Sequence, residues 1–220
     1  MTGIRKSFDE QLRELQEDVV RMGGLAAEAV RIAIQELVER NPQLHGQVLE
    51  IENRIDTLNL AIEQKSLQLL ALQQPMARDL RTIASVMRMT ADIERIGDYA
   101  VDTAGQAKAL ADQPLFKPLI DIPRMAETVQ RMLHDSMRAF VSRDLELALA
   151  AVKLDDEVDH AYRSLHEELI EFIRRDPSLV FQAIRLLMIG VYLERMADHI
   201  TNIGERIFYI ETGELKELHE

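Results

Sequence analysis

The stretch DIERIGDYAVDT (92–103) repeats as YLERMADHITNI (192–203) at a shift of 100 residues, which superposes Glu94 on Glu194, Arg95 on Arg195 and Asp98 on Asp198. Upstream, VERNPQLHG and ENRID (38–56) fall on VSRDLELAL and DDEVD (141–159) at a shift of 103. The three-residue difference is absorbed between LALQQPMARDL and FIRRDPSLVF, around Pro75 and Pro177, where a connection tolerates an insertion at least cost. The chain therefore reads as a duplication, and each half constrains the reading of the other.

Within that frame each half holds three helices. Phe8, Leu12, Leu15, Val19, Met22, Ala26, Ala29, Ala33 and Leu37 recur at three- and four-residue steps, which predicts one long amphipathic helix over residues 5–40, with Gly23-Gly24 as a place for a kink. Asn41-Pro42 ends it, and further helices are expected over 44–72 and 76–110. The proline-rich segment DQPLFKPLIDIP (112–123) reads as the linker. Beyond it, helices are expected near 121–142, 145–175 and 178–211, the last stopping at Gly213. No hairpin signal or β-branched alternation appears. The expected fold is all-α: two tandem, pseudo-symmetric antiparallel three-helix bundles, one over 1–113 and one over 114–220.

Composition agrees with a helical protein and narrows its chemistry. Of 220 residues, 47% are hydrophobic but only 5% aromatic, and there is no Cys or Trp. Without cysteine there are no disulfides or thiolate metal sites, so any metal must be held by carboxylates, amides or imidazoles. The simplest expectation is an intracellular, soluble protein. The N-terminus lacks a signal-peptide core, and the longest nearly apolar run, LLMIGVYL (186–193), is shorter than the roughly 20 residues a membrane span requires. A net charge of −12 disfavours nucleic acid and anionic lipid and favours cations or basic protein faces.

Two carboxylates four residues apart mean little alone, since chance gives about seven such pairs in a chain this acidic. The repeat changes their weight. Glu52 with Asp56 and Glu94 with Asp98 in the first half match Asp155 with Asp159 and Glu194 with Asp198 in the second, all as (E/D)-x-x-x-D. In an antiparallel hairpin turning near residue 74, both first-half pairs lie roughly 30 Å from the turn, and the second half repeats this about a turn near 176. Four carboxylates at one level repel unless protons or cations neutralise them, and a hard cation such as Mg, Mn or Fe is the expected remedy. Asp102 can add a donor; its counterpart Asn202 is neutral. Salt bridges to Arg95 and Arg195 are the alternative, and both readings stay open. Di-iron oxidase sites use Glu-x-x-His, whereas the third residue after Glu94 is Gly97 and after Glu194 is Ala197. His199 and His160 each follow a motif aspartate and turn about 100° away from the carboxylate direction. No nucleophile with a placed histidine and no glycine-rich phosphate loop is visible, so the residues do not support catalysis.

With the ERIGD and ERMAD repeats, the turn LQQPMARDLR (72–81) and the ending HITNIGERIFYIETG (199–213), nearly the whole chain resembles the PhoU family of bacterial phosphate-uptake and phosphate-signalling regulators. The resemblance implies metal sites at Glu52, Asp56, Glu94 and Asp98 and at Asp155, Asp159, Glu194 and Asp198, with Asp102 and Asn202 beside them. The metal would be iron, manganese, magnesium or zinc. It also implies a non-enzymatic negative regulator of phosphate uptake and of the phosphate-starvation response, cytoplasmic and often a homodimer. Its partners would be the phosphate ABC transporter's ATPase and a phosphate-sensing histidine kinase, with membrane association only through them and no nucleic acid. Arg78, Asp79 and Arg81, in the matching turn, are candidate partner contacts. A helix start with Asp79 in its first turn explains the same residues without a partner. Two other expectations stand beside this one: a carboxylate-bridged metalloenzyme, and a structural helical adaptor without metal.

Overall fold

The computed structural model describes residues 2–218, so the outer ends of the two expected units, Met1 and Glu220, lie outside the described residues. Among those described there is no strand, and seven helices follow in order: α1 (Thr2–Glu39), α2 (His45–Gln73), α3 (Ala77–Leu110), α4 (Asp121–Ser142), α5 (Leu145–Val152), α6 (Asp155–Arg175) and α7 (Val180–Thr212). The apolar stripe read from the sequence is the buried face of α1: Phe8, Leu15, Val19, Met22, Ala26, Ala29, Ala33 and Leu37 are all in the core. Short 3₁₀ turns at Pro42–Leu44 and Pro177–Leu179 open α2 and α7, each capped by the side chain of the residue before its proline, Asn41 and Asp176. Gly213, at φ 81°, ends α7 as expected by donating its N–H to the Tyr209 carbonyl at 2.9 Å.

Helix α1 runs unbroken through Gly23-Gly24. A Cβ on Gly23 would lie 2.8 Å from Met137 Sδ of α4, so this glycine serves the close approach of two helices. The helix expected over 145–175 is two helices, broken at Lys153 and Leu154. There the Leu154 N–H bonds to Ala151 and the Glu157 N–H to Leu154, three residues back, which tightens the chain and buries Leu154. Asp155, Asp156 and Glu157 then occupy the first turn of α6, where acidic side chains favour a helix start.

Helices α1, α2 and α3 pack on one another, as do α4, α5, α6 and α7, while α1 meets α4 and α3 meets α7 across the halves. A single apolar cluster runs through all of them. Helices α2 and α6 make their main contacts within their own half and so present an outer face. By composition, Pro177–Thr212 is long and apolar enough to cross a membrane, with mean hydropathy 1.3 over its best window, which the eight-residue run understates. Its Leu186, Ile189, Leu193, Met196 and Ile200 are instead buried in the protein core.

The seam between α3 and α7 is antiparallel and steps in heptads. Asp92, Tyr99 and Gln106 of α3 face His199, Tyr192 and Arg185 of α7. The Tyr99 and Tyr192 rings stack at 5.8 Å, flanked by His199 Nδ1 on Asp92 Oδ1 at 2.9 Å and Arg185 Nη1 donating to Gln106 Oε1 at 2.8 Å. At the end of the seam, Arg78 pairs with Glu211, and Arg81 Nε and Nη2 donate to the Ile210 carbonyl at 3.2 and 3.0 Å.

In the α2–α3 pair, Ile55 meets Gly97: a Cβ on Gly97 would come within 3.0 Å of Ile55 Cδ1. The repeat places Val158 and Ala197 at the matching positions, a smaller aliphatic side chain paired with a larger small residue. Ile55→Val is therefore expected to cost about 1 kcal/mol in the wild-type chain and close to nothing in Gly97→Ala, measured by a double-mutant cycle in urea. Equal costs in both backgrounds would contradict the fitted contact.

Candidate functional site

The contact of Ile55 with Gly97 sits between the two carboxylate pairs of the first half. Glu52 and Asp56 flank Ile55 on α2, and Glu94 and Asp98 flank Gly97 on α3. The structure brings all four together electrostatically. Burial, then the negative charges of Asp56, Asp98 and Glu94, hold the Glu52 carboxyl above the usual range. Glu94 is raised by burial and by Asp98 and Asp56, against a smaller pull from Arg95 and His199. Asp102, one turn beyond Asp98, is raised by burial and by Asp98. Each of these shifts favours the neutral carboxyl, and a proton or a cation would relieve the same repulsion.

The second half repeats the cluster with more arginine. Glu194 is raised by burial and by Asp198, with Asp159 adding and Arg195 opposing. Arg195 reaches Asp198 at 3.0 Å and Glu194 at 3.4 Å, and Arg163 reaches Asp159 at 3.2 Å. Asp155 begins α6, directly after the break, rather than sitting inside a helix as Glu52 does. The Asn202 amide donates to Asp92 Oδ1 at 3.2 Å, which places it on the seam.

In the first half, Arg95 bonds Asp98 at 2.8 Å, with 53% of the arginine and 35% of the aspartate side chain exposed. Water screens such a pair to roughly 1 kcal/mol or less, so it does not offset a four-carboxylate cluster. Among the described residues, no three His, Asp or Glu side chains are arranged to hold one metal ion. The donors are neighbours, and gathering them about a cation requires side-chain rotation. As a donor set the first cluster suits a hard cation: oxygen ligands alone, mutually repelling, with one screened arginine at its edge.

Sequence reasoning missed Asp92, which binds both His199 and Asn202. The available signal was the heptad stripe 92, 99, 106 facing 199, 192, 185, legible only once α3 and α7 are known to be antiparallel neighbours. Of the turn residues, Arg78 and Arg81 are engaged with the end of α7, and Asp79 lies in the first turn of α3.

The PhoU domain matches residues 19–107 and again 122–207 of this chain. The chain belongs to the PhoU family. A phosphate-specific transport system accessory protein PhoU homolog of Synechocystis sp. is 38% identical over 209 residues, covering 95% of this chain and 93% of that protein. One from Deinococcus radiodurans is 31% identical, covering 96% and 99%. The crystal structure of PhoU from Pseudomonas aeruginosa superposes with a TM-score of 0.90 at 30% identity over 94% of this chain and all of that one. The phosphate transport system regulatory protein PhoU from Streptococcus pneumoniae gives 0.86 at 30% identity over 95% and 99%.

For this PhoU protein, like-charge repulsion and arginine pairing make opposite forecasts for Asp98. In buffer with chelator at pH 7, Asp98→Asn is expected to raise the midpoint of thermal unfolding, by a stabilisation on the order of 1 kcal/mol. It is also expected to lower the titration midpoints of Glu52 and Glu94 followed by carboxyl ¹³C NMR. Destabilisation with unmoved midpoints would mean that the Arg95 pair outweighs the repulsion.

Proposed function

We propose that this PhoU protein is a non-enzymatic negative regulator of phosphate uptake and of the phosphate-starvation response, linking the phosphate ABC transporter's ATPase to a phosphate-sensing histidine kinase. The observation that carries the reading is the near full-length match to proteins named phosphate-specific transport system accessory proteins. The regulator is cytoplasmic, works as a homodimer, and reaches the membrane only through its partners. Its net charge of −12 suits docking on basic protein faces.

The same proposal gives the first cluster a divalent metal, held by Glu52, Asp56, Glu94 and Asp98 with Asp102 beside them. The matching set is Asp155, Asp159, Glu194 and Asp198, with Asn202 beside them. A bound cation supplies positive charge where the carboxylates repel. The chain's residues hold α2 against α3, and α6 against α7, at the spacing their apolar contacts set. Support comes from the raised carboxyls of Glu52 and Glu94. A second reading, an acidic face balanced by arginine, is favoured at the second cluster by the pairs of Arg195 and Arg163.

Deleting the gene and following a phosphatase reporter in abundant phosphate tests the regulatory role. Expression is expected to become constitutive and to return to repression when the wild-type gene is restored. Continued repression in the deletion strain would contradict it.

A further inference from the structure

Outside the carboxylate clusters, one acid is buried far more completely than any of them. Glu36, near the end of α1, has no exposed surface, and neither carboxyl oxygen is hydrogen-bonded to the protein. Facing it is His45, the first residue of α2, whose Nδ1 lies 3.8 Å from Glu36 Oε2 and is likewise buried without a hydrogen bond. Two polar groups from successive helices thus meet in a buried place, each without a hydrogen-bond partner in the protein.

The surroundings favour the protonated acid. Burial pushes the Glu36 carboxyl up to about 7, against a smaller opposing pull from Lys108 of α3. The linker's Lys117 is engaged by Asp121 and Glu168. On α4, Glu127 lines a groove with Gln35, Val38 and Glu39 of α1. Lys108 is therefore the charge that bears on Glu36.

The seat spans the connection between α1 and α2. Between Glu36 and His45 the chain turns through Arg40, at φ 52°, and Asn41, whose N–H bonds the Glu36 carbonyl at 3.1 Å and whose side chain caps Gln43. A non-glycine residue in the left-handed region is strained, so the surrounding packing must hold the turn in place.

We propose that Glu36 and His45 form a proton-operated catch on the α1–α2 connection. The catch is seated while Glu36 holds its proton and is released as that proton is lost. The sign follows from linkage. The seated state binds the proton more tightly than an opened, hydrated one, so seating is at full strength below the ordinary glutamate range. It weakens as pH rises from there to about neutrality and levels off above. The released element is the start of α2, the helix that carries Glu52 and Asp56 farther along.

Amide hydrogen exchange of residues 40–48, corrected for the intrinsic pH dependence of exchange, tests the catch in the full chain. Between pH 5 and pH 7.5 the opening constant is expected to rise about 60-fold in the wild type. In Glu36→Gln, which keeps the shape and cannot ionise, the rise is expected to be less than about threefold. The Glu36 carboxyl ¹³C shift of the wild-type protein gives an independent reading that needs no variant, with a midpoint near 7 expected. A flat wild-type profile, an equal rise in Glu36→Gln, or a midpoint in the ordinary glutamate range would each overturn the proposal.

Discussion

The contact of Ile55 with Gly97 is the constraint on which the first carboxylate cluster depends. Four acids repel, and left to themselves α2 and α3 would part at that level. The apolar contact lies between Glu52 and Asp56 on one helix and between Glu94 and Asp98 on the other, so core packing presses together groups that electrostatics drives apart. Burial of one large aliphatic side chain contributes about 1.5–3 kcal/mol, comparable to the repulsion of partly solvated carboxylates. The raised carboxyls of Glu52 and Glu94 reflect burial first and then that opposition.

The seam of α3 and α7 relates the two clusters. Asp92 lies two residues before Glu94, and His199 directly follows Asp198, so one hydrogen bond joins a segment of each site. The stacked tyrosines next along the seam come from equivalent heptad steps on the two helices, as a duplicated chain packed against itself requires. The halves have nonetheless diverged. The second cluster gathers Arg195 and Arg163 against its acids and begins α6 at Asp155, whereas the first is less compensated and sits within continuous helices.

Much of this was legible in the sequence because duplication supplies an internal control. Apolar spacing located α1, α2, α3, α4 and α7 to within a few residues, and the repeat singled out the acid pairs from an acidic background. The break between α5 and α6 was hidden because neither Gly nor Pro marks it. Its only local sign, the DDE run at 155–157, resembles the rest of an acid-rich chain. The roles of Asp92, Arg78 and Arg81 were hidden for a different reason. Each acts across the α3–α7 seam, and a partner more than a hundred residues away is set by packing, not by local spacing. Glu36 was invisible as an anomaly, since only burial distinguishes it from the solvated acids around it.

The proposed role of the paired carboxylates is to hold metal cations. Elemental analysis of the wild-type protein, purified without chelator or affinity metal and set beside the Asp98→Ala, Asp198→Ala double variant, tests it most directly. Metal is expected in near-stoichiometric amount in the wild type and is expected to be lost in the double variant, with the helical circular dichroism of the two unchanged. Equal trace metal in both proteins would contradict the claim.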